Sequence, residues 1–237
     1  MEIKNAQVLI TGGSRGIGAA LAREYSANGA RVIVTARSEE DLEKVATEIN
    51  GIAHVADLSV SDHVDNLIQE IESSHGPIDI LVNNAGIETV NPVATVDVGD
   101  IRAAARINLE TPMVLTRQVL PGMITRGKGA LVFLSSLAGT SGFAGMGPYC
   151  ATKAGLNNFV AALRIELKNT PIHATLVAPG PVDTRMWDAV ETASESIQRS
   201  VKRFENLGLL PKTSPERLAQ RVVAATQNER RHVRHPH

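Results

Sequence analysis

The stretch that most limits what this chain can fold into lies near its start. Gln7–Thr11 is a short apolar run, Gly12-Gly13-Ser14-Arg15-Gly16-Ile17-Gly18 follows, and a helical pattern then continues through Tyr25, with Gly29 placed to stop it. Glycines permit a tight turn and let backbone N–H groups approach a pyrophosphate at the helix N-terminus. The spacing Gly12, Gly16, Gly18 departs from G-x-G-x-x-G. The context carries the reading instead: a strand before the turn and a helix after it are what convert a glycine pattern into a dinucleotide site.

The same alternation runs through the chain. Strands are expected at Arg31–Ala36, 52–56, 78–82, 130–134 and 172–177, and helices at 39–50, from Ser61 as a cap, over most of 97–126, up to about Lys168, and from Ser214-Pro215-Glu216 onward. Pro112 should kink or restart the long helical region. The fourth strand has almost no polar interruption, which suits a sheet covered on both faces. No repeat or linker divides the chain. The expected architecture is therefore α/β: one doubly wound, Rossmann-type parallel sheet with helices on both faces, forming a single domain over 1–237.

At the end of the second strand an NAD site usually carries an acid for the ribose 2′-OH. This chain reads Val34-Thr35-Ala36-Arg37 there. Arg37, with Arg15 in the glycine turn, suits a 2′-phosphate, because guanidinium forks match phosphate oxygens. The acids that follow, Glu39, Glu40 and Asp41, form the first turn of a helix begun at Ser38. The expected cofactor is NADPH rather than NADH.

Tyr149 and Lys153 are four apart, so a helix stacks their side chains on one face. Leu156, Val160, Leu163 and Leu167 continue that spacing, which places the pair on the N-terminal extension of a buried stripe. An inward lysine beside a phenol favours phenolate and should lower the tyrosine pKa toward acid/base use. Asn83-Asn84-Ala85-Gly86 ends the fourth strand; it can line a ligand crevice or serve as turn chemistry. Asn108, within a helical stretch, must be exposed or satisfied by partners. The 182–213 segment, holding Met186, Trp187 and Val190, is long enough for a substrate loop or lid. With residues 137–146 it should line the substrate pocket, and Phe143, Met146, Met186 and Trp187 suggest an apolar or mixed ligand.

Charge and cysteine content exclude other classes. A net charge of -1 argues against a broad nucleic-acid surface. The local exception, Arg230, Arg231 and Arg234 interleaved with His232, His235 and His237, reads as a solvated terminus in preference to an anion site. The one cysteine, Cys150, allows no intrachain disulfide and reads as a small core residue in preference to a nucleophile. No apolar run approaches the ~20 residues of a membrane span, and Met1 to Gln7 shows no secretory signal. The expectation is a cytoplasmic protein with no membrane partner and no metal site.

Assembled in order, Thr11 to Gly18, Asn83 to Gly86, Ser136, Tyr149-x-x-x-Lys153 and Pro179-Gly180-Pro181-Val182-Asp183-Thr184 make the chain resemble the short-chain dehydrogenase/reductase family over about residues 7–184. The resemblance implies hydride transfer between nicotinamide and a small-molecule carbonyl or secondary alcohol. It implies Tyr149 as general acid or base, and Lys153 as holder of the nicotinamide ribose that keeps the Tyr149 pKa low. Ser136, chosen over Ser135 by its separation from Tyr149, would hydrogen-bond the substrate oxygen; Asn108 would anchor a water relaying protons to Lys153. Gly12, Ser14, Arg15, Gly16, Ile17, Gly18, Arg37, Asp57, Asn84, Ala85, Gly86, Pro179, Gly180, Val182 and Thr184 would contact the cofactor, Asp57 near the adenine and Thr184 near the nicotinamide amide. It also implies a homo-oligomer, dimer or tetramer, although the chain's end departs from the family's strand and glycine pair, leaving at most a short edge strand. A non-catalytic dinucleotide sensor is the alternative reading; it needs the glycine turn but not Ser136, Tyr149 and Lys153 together.

Overall fold

In the computed structural model, residues 1–184 and 212–235 are described. Strands β1 (Gln7–Thr11), β2 (Arg31–Ala36), β3 (Ile52–Val55), β4 (Ile80–Asn83), β5 (Gly129–Leu134), β6 (Ile172–Pro179) and β7 (His232–His235) form one sheet in the order β3-β2-β1-β4-β5-β6-β7. All its strand pairs are parallel. The helices are α1 (Gly16–Ala27), α2 (Glu39–Glu48), α3 (Ser61–His75), α4 (Val98–Ala105), α5 (Thr111–Arg126), α6 (Gly147–Glu166) and, after residue 212, α7 (Pro215–Gln227).

Period-two alternation sorts the strand side chains between two layers. Val8, Ile10, Val82 and Val132 pack with residues of α1, α2 and α7; Leu9, Leu81, Leu131 and Phe133 pack with those of α3, α5 and α6. The central strands carry apolar residues on both faces because helices cover both. Alanines at 19, 20 and 22 let α1 lie close to the sheet and to α7, and the buried Tyr25 hydroxyl meets Thr226 Oγ1 at 2.9 Å across that contact. Strand order reverses beside β1: β2 lies on one side and β4 on the other. The loops leaving β1 and β4 therefore part, and a crevice opens at their carboxyl ends.

Several local expectations change in detail. Ser61 is the first residue of α3 and does not cap it; Val60 holds the cap position with no side-chain bond. Ser38 does begin α2, but its hydroxyl donates to Asp41 instead of accepting a helix N–H. Pro112 restarts the helical region: α4 ends, a wide π turn spans Arg106–Glu110, and α5 begins with Pro112 in its first turn. Strand β6 continues through Pro179, which pairs with His235 of β7. Proline lacks an N–H, so it is tolerated at that strand end. Strand β7 is the short edge strand left open by the sequence.

Candidate active site

The crevice is a cavity of about 1130 Å³. It gathers the glycine turn, Arg37, Asp57, Asn84, Ala85, Gly86, Ser136, Tyr149, Lys153, Pro179, Gly180, Val182 and Thr184 in one wall set. Of the described residues expected at the site, Asn108 alone stands behind the wall, fully buried.

The nucleotide end is shaped by backbone. Gly12 has φ +66° and lies so close to the β4 loop that a Cβ would sit 2.9 Å from Ala85 Cα. A Cβ on Gly18 would sit 2.1 Å from the Gly12 carbonyl oxygen, so the start of α1 is pressed into the turn. No side chain caps α1 and no acid occupies its first turn, which leaves a positive helix end beside Ser14 and Arg15. The 2.8 Å bond from Asn84 Nδ2 to the Thr11 carbonyl, with a second to Gly12 at 3.1 Å, spends that amide on bracing the turn. Thr11 reciprocates: its Oγ1 accepts from the N–H groups of Asn84 and Ala85, each at 3.0 Å. Sequence reading carried Thr11 in the glycine motif without giving it this role; the one signal was a hydroxyl at the end of an apolar run.

Farther along, Asp57 Oδ1 accepts from the Ser59 N–H at 2.9 Å and hydroxyl at 2.7 Å. Burial alone would raise this carboxyl, but the Ser59 bonds and the charges of Arg37 and His63 hold it below the usual carboxylate range. Arg37 is thus near enough to Asp57 to act on it, at the end of the cavity away from Tyr149. These features fit a dinucleotide: a tight cradle that excludes Cβ atoms, an uncapped helix end for phosphates, and a guanidinium beside a hydrogen-bonding carboxylate.

At the other end α6 presents Tyr149 and Lys153 inward, both buried, with Lys153 Nζ 5.7 Å from the centre of the Tyr149 ring. Ser136, two residues beyond β5, lies close enough to the Tyr149 hydroxyl for its side chain to act on it. Lys153 Nζ also donates to the Leu134 carbonyl at 2.8 Å. Burial pushes the Lys153 ammonium down to about 8. The phenol departs from expectation: burial pushes Tyr149 up to about 12, against the lowering pull of Ser136, with Glu88 and Cys150 adding to the rise. A buried lysine whose own charge is disfavoured does not offset the loss of water around a phenolate. Cys150 packs against the small cluster of Ala138, Met146 and Tyr149, in keeping with a packing role.

Asn108 is satisfied by partners. Its Oδ1 accepts from the Ile87 N–H and its Nδ2 donates to the Ile87 carbonyl, both at 2.8 Å, with Thr152 Oγ1 at 3.2 Å. It clamps the loop after β4. Asn157 is a second brace that sequence reading missed, although it lies one turn beyond Lys153 on the same face. Ser135 Oγ donates to Asn157 Oδ1 at 2.6 Å, and Asn157 Nδ2 donates to the Gly139 carbonyl at 3.1 Å. Val182 bridges to Thr213, and the Asp183 N–H donates to the Thr213 carbonyl at 3.0 Å, joining the two roots of the segment expected as a lid. Its residues 185–211, Met186, Trp187 and Val190 included, lie outside the described residues.

Among the described residues no group of His, Cys, Asp or Glu is placed to hold a metal, and no helix is long and apolar enough to cross a membrane. The family model described as short chain dehydrogenase matches residues 6–195. The ketoacyl reductase HetN of Nostoc sp. is 36% identical over 206 residues, covering 82% of this chain and 71% of the relative. The NADP-dependent 3-hydroxy acid dehydrogenase YdfG of Salmonella typhi is 31% identical, covering 91% of this chain and 86% of the relative. A metagenomic short-chain oxidoreductase solved in complex with NADP superposes with a TM-score of 0.80 at 32% identity, covering 99% of this chain and 98% of that one. A glycine cradle at the crossing of a parallel sheet, facing a serine, a tyrosine and a lysine in one cavity, together with these likenesses, establishes that the chain belongs to the short-chain dehydrogenase family, oxidoreductases that use a nicotinamide cofactor and small-molecule substrates.

Proposed function

We propose that this protein is an NADPH-dependent reductase of ketones or aldehydes, working in reverse as an alcohol dehydrogenase, and that residues 1–237 act as one Rossmann-type unit. The observation that carries the reading is the sharing of one cavity by the glycine turn, Arg37 and the set Ser136, Tyr149 and Lys153. Arg37 and Arg15 would hold a 2′-phosphate, Gly12 to Gly18 the pyrophosphate, and Lys153 the ribose next to the nicotinamide. The NADP-bound neighbour and the relatives named as ketoacyl reductase and NADP-dependent 3-hydroxy acid dehydrogenase support the cofactor and the carbonyl chemistry.

A reduced nicotinamide held by these residues would supply the hydride that the carbonyl carbon takes up. The hydroxyl of Ser136 donates to the carbonyl oxygen, where negative charge grows as the C=O π bond breaks. The Tyr149 phenol gives its proton to that oxygen. The high pKa that burial imposes suits this direction, because the phenol stays protonated until the oxyanion needs the proton. Lys153, whose ammonium burial pushes down to about 8, would help return a proton to Tyr149. Asn108 holds Ile87 and with it the loop that closes the site.

The test is oxidation of NADPH followed across ketones, aldehydes, quinones and keto-esters, repeated with NADH. Turnover favouring NADPH by at least ~10-fold is expected, since each charge-assisted bond to the 2′-phosphate contributes about 1.5–3 kcal/mol. Tight cofactor binding with no turnover of any carbonyl would replace this reading with a dinucleotide sensor.

A further inference from the structure

We propose that Arg106 is a positioning residue for the purine end of the cofactor: it holds Ser59, Ser59 holds the Asp57 carboxylate, and Asp57 accepts from the exocyclic amine of adenine. This deepens the reading of the cavity as a dinucleotide site and rests on it. Arg106 opens the wide π turn Arg106–Glu110 between α4 and α5. Its Nη1 donates to the Ser59 carbonyl at 2.9 Å, across 47 positions of sequence. Ile107, next in the turn, lines the cavity, and Asn108 binds the N–H and the carbonyl of Ile87. A π turn widens the helix and breaks its 3.6-residue rhythm, so side chains close in sequence serve different loops. Here the first residue of the turn reaches the loop after β3, and the third reaches the loop after β4.

Ser59 passes that hold on. Its N–H and its hydroxyl donate to Asp57 Oδ1 at 2.9 and 2.7 Å, so backbone and side chain together fix the carboxylate. The loop is fastened at three further points. The Asp57 N–H donates to His63 Nδ1 at 3.1 Å, the Val60 N–H to the Asp57 carbonyl at 3.0 Å, and Thr111 Oγ1 to the Leu58 carbonyl at 3.4 Å. None of those three bonds reaches Ser59; the Arg106 bond does. Turning the Ser59 N–H and hydroxyl away from Asp57 therefore costs the Arg106 bond as well. On its other side the guanidinium lies beside Glu110, Nε 4.0 Å from Oε2, in a half-exposed ion pair. Asp57 itself lines the cavity. Against the effect of burial, the Ser59 bonds and the charges of Arg37 and His63 keep its carboxyl ionised, and an ionised carboxylate only accepts. Both Ser59 bonds fall on Oδ1; the second oxygen, Oδ2, then takes the adenine amine. A purine with a carbonyl oxygen in place of that amine offers it no donor, and a polar site rejects a ligand that leaves its groups unpaired.

The experiment measures by titration calorimetry the binding of NADP⁺ and of its hypoxanthine analogue, which carries a carbonyl where adenine carries the amine. The proteins are the wild type, Arg106→Met, Arg106→Lys, Ser59→Ala and the double variant of Arg106→Met with Ser59→Ala. The wild type should bind NADP⁺ at least ~10-fold more tightly than the analogue, the size of one charge-assisted hydrogen bond. Arg106→Met should narrow that ratio to within ~3-fold by weakening NADP⁺ alone, and Arg106→Lys, which keeps a donor, should recover part of it. Ser59→Ala should narrow the ratio too, and the double variant should lose no more than the larger single loss, since both residues act through one carboxylate. A merely structural loss weakens both nucleotides together and leaves the ratio where it was. A wild-type ratio in Arg106→Met, or additive losses in the double variant, would overturn the proposal. So would a wild type that binds the two nucleotides equally, although the dinucleotide reading would then stand without a purine contact at Asp57. Absence of binding by either nucleotide would remove that reading itself and this proposal with it.

Discussion

In the proposed mechanism Tyr149 gives up the proton, and its burial makes that role measurable. Tyr149→Phe removes the transferable proton and keeps the ring, so kcat should fall by ~10²–10⁴-fold while NADPH still binds, the range for loss of a general acid; stopped-flow turnover and a fluorescence titration read the two separately. Near-normal turnover would show that the proton comes from elsewhere. Lys153 offers a test without substrate. Its amine titrates near 8 in the folded protein against an ordinary 10.5, so between those values the unfolded chain binds more protons. Stability should therefore rise with pH from about 8 toward 10.5 in the wild type and not in Lys153→Met, measured by urea denaturation of the cofactor-free protein. Tyr149, raised to about 12, acts with the opposite sign, its contribution being lost only as pH climbs above 10. Arg37 was legible in the sequence because a strand-end arginine stands where an acid would bind ribose. The raised Tyr149 pKa was not, because the spacing of Tyr149 and Lys153 records proximity and says nothing of how much water the fold removes.

At the scale of elements, helix α6 serves as a ruler. It holds Lys153 against the end of β5 and, one turn later, Asn157 against Ser135 and Gly139. Ser136 lies between those attachment points, so its hydroxyl is positioned from both sides. Asn157→Ala removes two hydrogen bonds and should cost about 1–3 kcal/mol, with loss of position at Ser136. The expected kinetic result is a ~10-fold lower kcat with KM for NADPH unchanged, and partial recovery in Asn157→Asp, which keeps the acceptor for Ser135. An equal fall in cofactor affinity would mean a general loss of structure instead. The glycine turn has its own element-scale test. A Cβ at Gly18 would lie 2.1 Å from the Gly12 carbonyl, so Gly18→Ala must push α1 off the turn. A loss of about 1–3 kcal/mol is expected, seen as a fall of several degrees in the melting temperature, together with weaker NADPH binding. Gly16→Ala would meet only Thr184 Cγ2 at 3.3 Å but carries φ +54°, so its penalty is conformational and should be the smaller.

For the whole molecule, the order β3-β2-β1-β4-β5-β6-β7 is what makes one cavity of distant residues. The sheet crosses at β1, so the loops after β1, β4, β5 and β6 converge on one edge, and positions as far apart in the chain as Gly12, Ser136 and Thr184 share a wall. What the sequence by itself determined is the alternation of strands and helices, the covered sheet, the glycine turn and which polar residues meet in one cavity, because each is written in local periodicity or in spacing along one helix or turn. Element ends were less well determined: Ser61 as a cap and the last two residues of β6 depend on which backbone groups find partners across the fold. Only the tertiary structure decided that Asn84 and Thr11 brace the turn, that Asn108 and Asn157 clamp loops from behind, and that Glu88 lines the same cavity as Tyr149. Those facts join residues far apart in sequence through burial and a few directed hydrogen bonds, and neither the loss of water nor the direction of a bond is encoded in the distance along the chain.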